Sequence, residues 1–169
     1  MTPGKSASQL GHAFKLLTKN LIETEIEAKF GSIQKAIDLA LKNNVNIGAH
    51  PSFPDTKNFG RKILDISHQE LQESIESQLS LFMHRLSKFK EELHHIKPHG
   101  ALYNDLVKSK KLAITFLDAI NKYKESVVLY VPPNSLIAPE AIKQGFTIKY
   151  EAFADRNYNE DLSLVSRKL

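Results

Sequence analysis

Apolar residues along this chain recur by turns at the spacing of a helix face and in short unbroken runs of the kind that form strands. Ile33, Ala36, Ile37, Ala40 and Leu41 keep the 3.6-residue period, and Ser32 stands where a capping residue is expected. Asn43 and Asn44 end that helix, and residues 45–49 (VNIGA) predict a short strand. Ser67 and Glu70 have capping-box spacing, and Leu71, Ile75, Leu79, Phe82, Leu86 and Phe89 then mark one side of a long helix. Residues 93–97 predict a second strand, broken by Pro98 and Gly100, and the next helix carries Leu112, Phe116, Ile120 and Tyr123 on one side. The run SVVLYV at 126–131 is rich in β-branched and aromatic residues, the pattern of a strand buried on both faces, and Pro132-Pro133 stops it. A short helix reaches Gly145, a C-cap residue, and residues 146–151 predict a fourth strand.

Four strands alternating with helices predict an α/β fold: a parallel sheet with right-handed crossovers, either open or part of a barrel. The 169 residues suit a single domain, and no linker or low-complexity segment divides them. Residues 1–30 stand apart as a divergent segment with partly helical spacing at Leu10, Phe14, Leu17 and Leu21, ahead of the α/β region at 31–169. A net charge of +4 with interspersed signs argues against a nucleic-acid surface, and Lys108, Lys110 and Lys111 suit a solvated helix face. The absence of cysteine excludes disulfides and thiolate chemistry and suits the cytoplasm. No apolar run nears the ~20 residues of a membrane span, so no membrane partner is expected. Gly4-Lys5-Ser6 lacks the earlier glycine and strand of a phosphate-binding loop, and neither a Rossmann fingerprint nor H-E-x-x-H nor G-x-S-x-G is present.

Candidate chemistry gathers where the expected strands end. IGAHPSFPD (47–55) and IKPHGALYN (96–104) each run from strand formers into His, Pro and Gly. Ligands of parallel α/β folds bind beyond the carboxyl ends of the strands. That places His50, Lys97 with His99, Asn134, and Glu151 with Asp155 and Arg156 at one edge. Alternation along the second strand sends His95, Lys97 and His99 one way and His94, Ile96 and Pro98 the other. His50 and His99 should then open onto one pocket, with Lys97 beside them and His95 deeper in the column. Histidine serves as acid, base or metal ligand, and lysine sets a positive charge against a phosphate or developing oxyanion. Plainer readings exist for each: a histidine beside Pro or Gly satisfies a turn, and Asp155 with Arg156 can be an ion pair fixing a loop. His12, His68, His84 and His94 have helix-face or loop settings and receive no role.

IGAHPSFPD, Asn58-Phe59-Gly60-Arg61, IKPHGALYN, YEAFADRNY (150–158) and LVSRK (164–168) together resemble, in order and spacing, the LamB/YcsF family from about Ile33 onward. The resemblance implies a seven-stranded β/α barrel of the glycoside hydrolase/deacetylase type, present here in part. It implies ATP-dependent opening of the lactam 5-oxoproline to glutamate, with ATP as co-substrate and 5-oxoprolinase subunits B and C as partners. It also implies catalytic roles for His50, Lys97 and His99 and substrate-binding roles for Arg61, Asn104, Glu151, Asp155 and Arg156. Family members carry an acidic Asp-Leu-Asn-x-Asp-x-Gly-Glu motif on a first strand and Cys-Gly-x-His-Ala-Gly after a second. Residues 20–32 (NLIETEIEAKFGS) match neither, so the chain reads as an interior piece of the family fold with a substituted N-terminus.

Three functions fit these observations. The first is the enzyme component itself. The second is a catalytically incomplete relative that binds or oligomerises. The third is a deacetylase-like hydrolase in which His50 and His99 hold a divalent metal and an acidic third ligand comes from elsewhere. The chain is expected to give no turnover even with subunits B and C supplied, its sheet edges being covered by residues 1–29 or by a second copy.

Overall fold

The computed structural model describes residues 30–154, 156–160 and 164–165, with the backbone alone at 30–32. The helical spacing expected at Leu10 to Leu21, His12, Asp155 and residues 166–168 of the last motif lie outside these residues. Strands β1 (Gly48–Ala49), β2 (His95–Ile96), β3 (Val128–Val131) and β4 (Thr147–Tyr150) form one parallel sheet in that order. Helices α1 (Phe30–Lys42), α2 (His68–Leu86), α3 (Gly100–Asp105), α4 (Lys110–Ile120) and α5 (Ile137–Lys143) fill the crossovers and precede the first strand. The alternation read from the sequence is therefore the architecture, and the described sheet is open rather than closed.

The strands are shorter than the apolar runs that announced them, but backbone hydrogen bonding continues past their ends. His94 donates to the Ile47 carbonyl, Lys97 to Ala49, His99 to Pro51 and Glu151 to Val131, each at 2.9 Å. These bonds carry the pairing beyond the sheet, to the residues that bear chemistry.

The register sets Ala49, Ile96, Leu129 and Ile148 in one row. Ile96 and Leu129 are wholly buried and join Ile37, Leu79, Phe82 and Phe116 in the helix-side core. Burying such side chains, at ~1.5–3 kcal/mol each, is what holds the helices to the sheet. The second face is different. Val128 and Tyr130 are only half-buried, so SVVLYV is not the doubly buried strand its composition predicted. The described helices cover a single face, and aromatic and β-branched residues also suit a half-open one.

Two local readings are corrected and one is confirmed. Helix α1 begins at Phe30, which puts Ser32 within its first turn, whereas an N-cap needs non-helical backbone. Helix α3 was not foreseen, being too short to show a period. It starts at Gly100, whose φ of 60° favours glycine and whose Cβ position is blocked by the Gly60 carbonyl. The capping box is present: the Ser67 hydroxyl accepts from the Glu70 N–H at 3.1 Å and the Glu70 carboxylate accepts from the Ser67 N–H at 2.8 Å. Ser67→Ala should lower stability by about 1 kcal/mol in urea titration and leave the sheet edge untouched. An unchanged midpoint would contradict the capping role.

Candidate functional site

The second face of the sheet carries the polar row. His95, Val128 and Thr147 share one level, and Tyr130 and Lys149 share the next. His95 lies over Gly48 and stacks on Tyr130, with ring centroids 4.7 Å apart and planes at 13°. A Cβ on Gly48 would run into the His95 ring, so glycine at position 48 is what leaves the ring its seat. Lys97 and His99 follow at the end of the same column, as alternation along β2 predicted.

His50 and His99 meet directly, His50 Nε2 lying 2.9 Å from His99 Nδ1. The outer nitrogens face carbonyls: His50 Nδ1 is 2.5 Å from the Lys97 oxygen and His99 Nε2 is 2.9 Å from the Phe59 oxygen. A carbonyl only accepts, so each outer nitrogen carries its proton. Two neutral rings would then set lone pair against lone pair. The contact between them becomes an N–H···N bond only while the pair holds one extra proton. Burial first, then the charges of His99 and Lys97, hold His50 well below its ordinary value of 6.5. Burial likewise lowers His99, helped by Arg61 and Lys97 and opposed by the Phe59 carbonyl. The pair therefore takes up that proton only below the ordinary histidine range and stands neutral above it.

Lys97 is 6% exposed, and Glu151 and Phe153 are among the groups around its ammonium. Glu151 Oε1 stands 2.6 Å away, and the Phe153 ring centroid lies 4.7 Å from Nζ. Phe153 is in turn held by its own N–H, which donates to the Tyr158 hydroxyl at 2.6 Å. A fixed cation, a carboxylate and two proton-carrying rings thus converge at one edge. That set can bind a small anionic or carbonyl compound, stabilise negative charge and move a proton.

The other candidates are placed less centrally. Arg61 is exposed, yet close enough to His99 for its charge to be felt. Asn104 is exposed on α3, while its neighbour Tyr103 is turned inward. Arg156 donates to the Val165 carbonyl at 2.8 Å, tying down the segment after β4, and Asn134 is an exposed turn residue with φ of 52°. Phe153 and Tyr103 lie inside the motifs YEAFADRNY and IKPHGALYN but were given no role, and the fit of His95 to Gly48 escaped the sequence reading, since periodicity does not register contacts between distant segments. A cavity of about 260 Å³ between α2, α3 and α4 includes none of the converging residues. Among the described residues no three His, Cys, Asp or Glu side chains gather into a metal cluster. No described helix is long and apolar enough to cross a membrane.

A family model described as LamB/YcsF family matches residues 29–169. The chain belongs to the LamB/YcsF family. It is similar to proteins named as the A subunit of 5-oxoprolinase: one from Pyrococcus abyssi, 37% identical over 80% of this chain and 53% of the relative, and one from Staphylococcus aureus, 38% identical over 80% and 54%. The crystal structure of a lactam utilization protein from Thermus thermophilus superposes with a TM-score of 0.75 at 34% identity, covering 81% of this chain and 56% of that one. The chain therefore spans about half the length of the relatives it matches. The parallel sheet with its helices corresponds to part of that solved fold.

The buried histidines make stability depend on pH with a definite sign. Burial, then His94 and Lys97, lower His95 to about 4. Depressed histidines bind fewer protons folded than unfolded, so stability is complete above the ordinary value near 6.5 and is lost as pH falls toward 4. Urea midpoints should drop between pH 7.5 and pH 4.5, less steeply in His95→Asn; a midpoint that rises on acidification would overturn the assignment.

Proposed function

We propose that this LamB/YcsF chain takes part in the ATP-dependent hydrolytic opening of 5-oxoproline to glutamate, as a component like the A subunit of 5-oxoprolinase, working with subunits B and C in the cytoplasm. The observation that carries this reading is the convergence of His50, Lys97, His99 and Glu151 in a chain similar to proteins of that name. Opening a lactam breaks a C–N bond, which calls for charge stabilisation at the carbonyl oxygen and a proton for the leaving nitrogen. Lys97 faces the oxygen, whether the intermediate is tetrahedral or phosphorylated. The His50–His99 pair takes up a proton between its facing nitrogens and passes it to the leaving nitrogen, His99 being the less buried ring. Arg61 and Arg156 add positive charge for the substrate carboxylate, with Asn104 and Asp155 as further binding groups. ATP enters as co-substrate of the complex.

A second reading, a binding or oligomerising module without turnover, is favoured by the half-open second face of the sheet, where Thr147 and Lys149 are exposed. Residues 20–32 also lack the acidic motif and third histidine of the family. Each unfilled acid–base role would cost ~10²–10⁴-fold in rate.

The two readings separate in one experiment: glutamate formation from 5-oxoproline and ATP with subunits B and C added, alongside calorimetric binding of 5-oxoproline. Turnover that disappears in Lys97→Met supports the enzyme reading, and binding without turnover supports the module. The absence of both would sink each of them.

A further inference from the structure

Tyr103 lies on α3, with 5% of its surface exposed. Its ring packs edge-on against Phe153, centroids 5.8 Å apart, and Phe153 in turn packs against the Lys97 ammonium. The phenol oxygen is buried and makes no hydrogen bond among the described residues. Buried hydroxyls are nearly always paired, because an unpaired one loses its water without replacement. Phenylalanine would fill the same volume without that cost. Glu151 Oε1, although ion-paired with Lys97, likewise makes no aligned hydrogen bond among them. Burial, then the nearby charges of Glu151 and Tyr158, push the Tyr103 phenol up, so it remains a protonated donor. One unpaired donor and a carboxylate with spare acceptor capacity thus lie near the same ammonium.

A lactam presents the matching pair. Its amide is held cis by the ring, so the carbonyl oxygen and the N–H lie side by side on one edge. We propose that Tyr103 and Glu151 read this edge: the Tyr103 hydroxyl donates to the ring carbonyl oxygen beside Lys97, and the Glu151 carboxylate accepts from the ring N–H. Tyr103 is then a substrate-binding residue within the IKPHGALYN motif to which the sequence assigned no role, and Phe153 is the apolar wall against which the ring lies. This assignment rests on the reading of the site as a lactam site. It adds what selects a cyclic amide over an open-chain one, whose trans amide turns its oxygen and N–H to opposite sides.

The test is calorimetric titration of wild type and Tyr103→Phe with 5-oxoproline and with 2-pyrrolidinone, together with the melting temperature of each protein without ligand. Losing one neutral hydrogen bond should weaken each lactam that binds by about 10-fold. Melting should be unchanged or higher, since the hydroxyl bonds to none of the described residues. Equal affinity of the two proteins for a bound lactam, or a melting temperature several degrees lower in the variant, overturns the assignment and leaves the 5-oxoproline reading intact. Binding of 2-pyrrolidinone alone, weakened in the variant, supports the lactam edge and counts against 5-oxoproline. Failure of wild type to bind either lactam overturns both.

Discussion

A buried ammonium cannot stand alone, and the site is arranged around that constraint. Lys97 is almost wholly enclosed, and an unpaired charge there would cost several kcal/mol. Glu151 answers it from the end of β4, two strands away, and Phe153 offers the face of its ring. Meeting Lys97 requires β4 to pair with β3 in the register observed, with the Glu151 N–H bonded to the Val131 carbonyl. It also draws the segment after β4 over the site, where the Tyr158 hydroxyl and the Arg156–Val165 bond hold it. Sheet topology and site chemistry are thus one arrangement.

The histidines obey a related rule. His50 and His99 come from separate loops, yet each gives its outer nitrogen to a carbonyl and its inner nitrogen to the other ring. The loop after β1 is brought to His99 by the close approach of Gly60 to Gly100, which a larger residue at 100 would prevent. Burial makes protonation costly while the facing nitrogens invite a proton. The pair therefore changes its protonation within the acid range, where burial and the facing nitrogens balance.

The two faces of the sheet do different work. One is apolar and seals against the helices through Ile96, Leu129 and Val131. The other carries His95, Lys97 and Glu151 and stays partly open, the strands reading as alternating rather than uniformly buried. In a closed β/α barrel the inner face is filled by side chains from the whole ring of strands. The solved lactam utilization protein, of which this chain covers 56%, is the larger frame into which these strands fit.

Periodicity and local chemistry determined much by themselves. The helix faces of α2 and α4, the Ser67–Glu70 box, the parallel order of the strands and the placing of His50, Lys97, His99 and Glu151 at one edge were legible. Each depends on spacing along a single segment or on the rule that short crossovers join parallel neighbours. The family resemblance was legible too, because its motifs are contiguous. What the tertiary structure decided involves segments far apart in the chain: Glu151 as a partner of Lys97, the Tyr103–Phe153 contact, the facing nitrogens of the histidines and the seat of His95 over Gly48. Composition misled at SVVLYV, since a strand's own residues do not say which of its faces a helix will cover. Contacts between distant segments follow from how strands and loops are brought together, and only the folded chain specifies that.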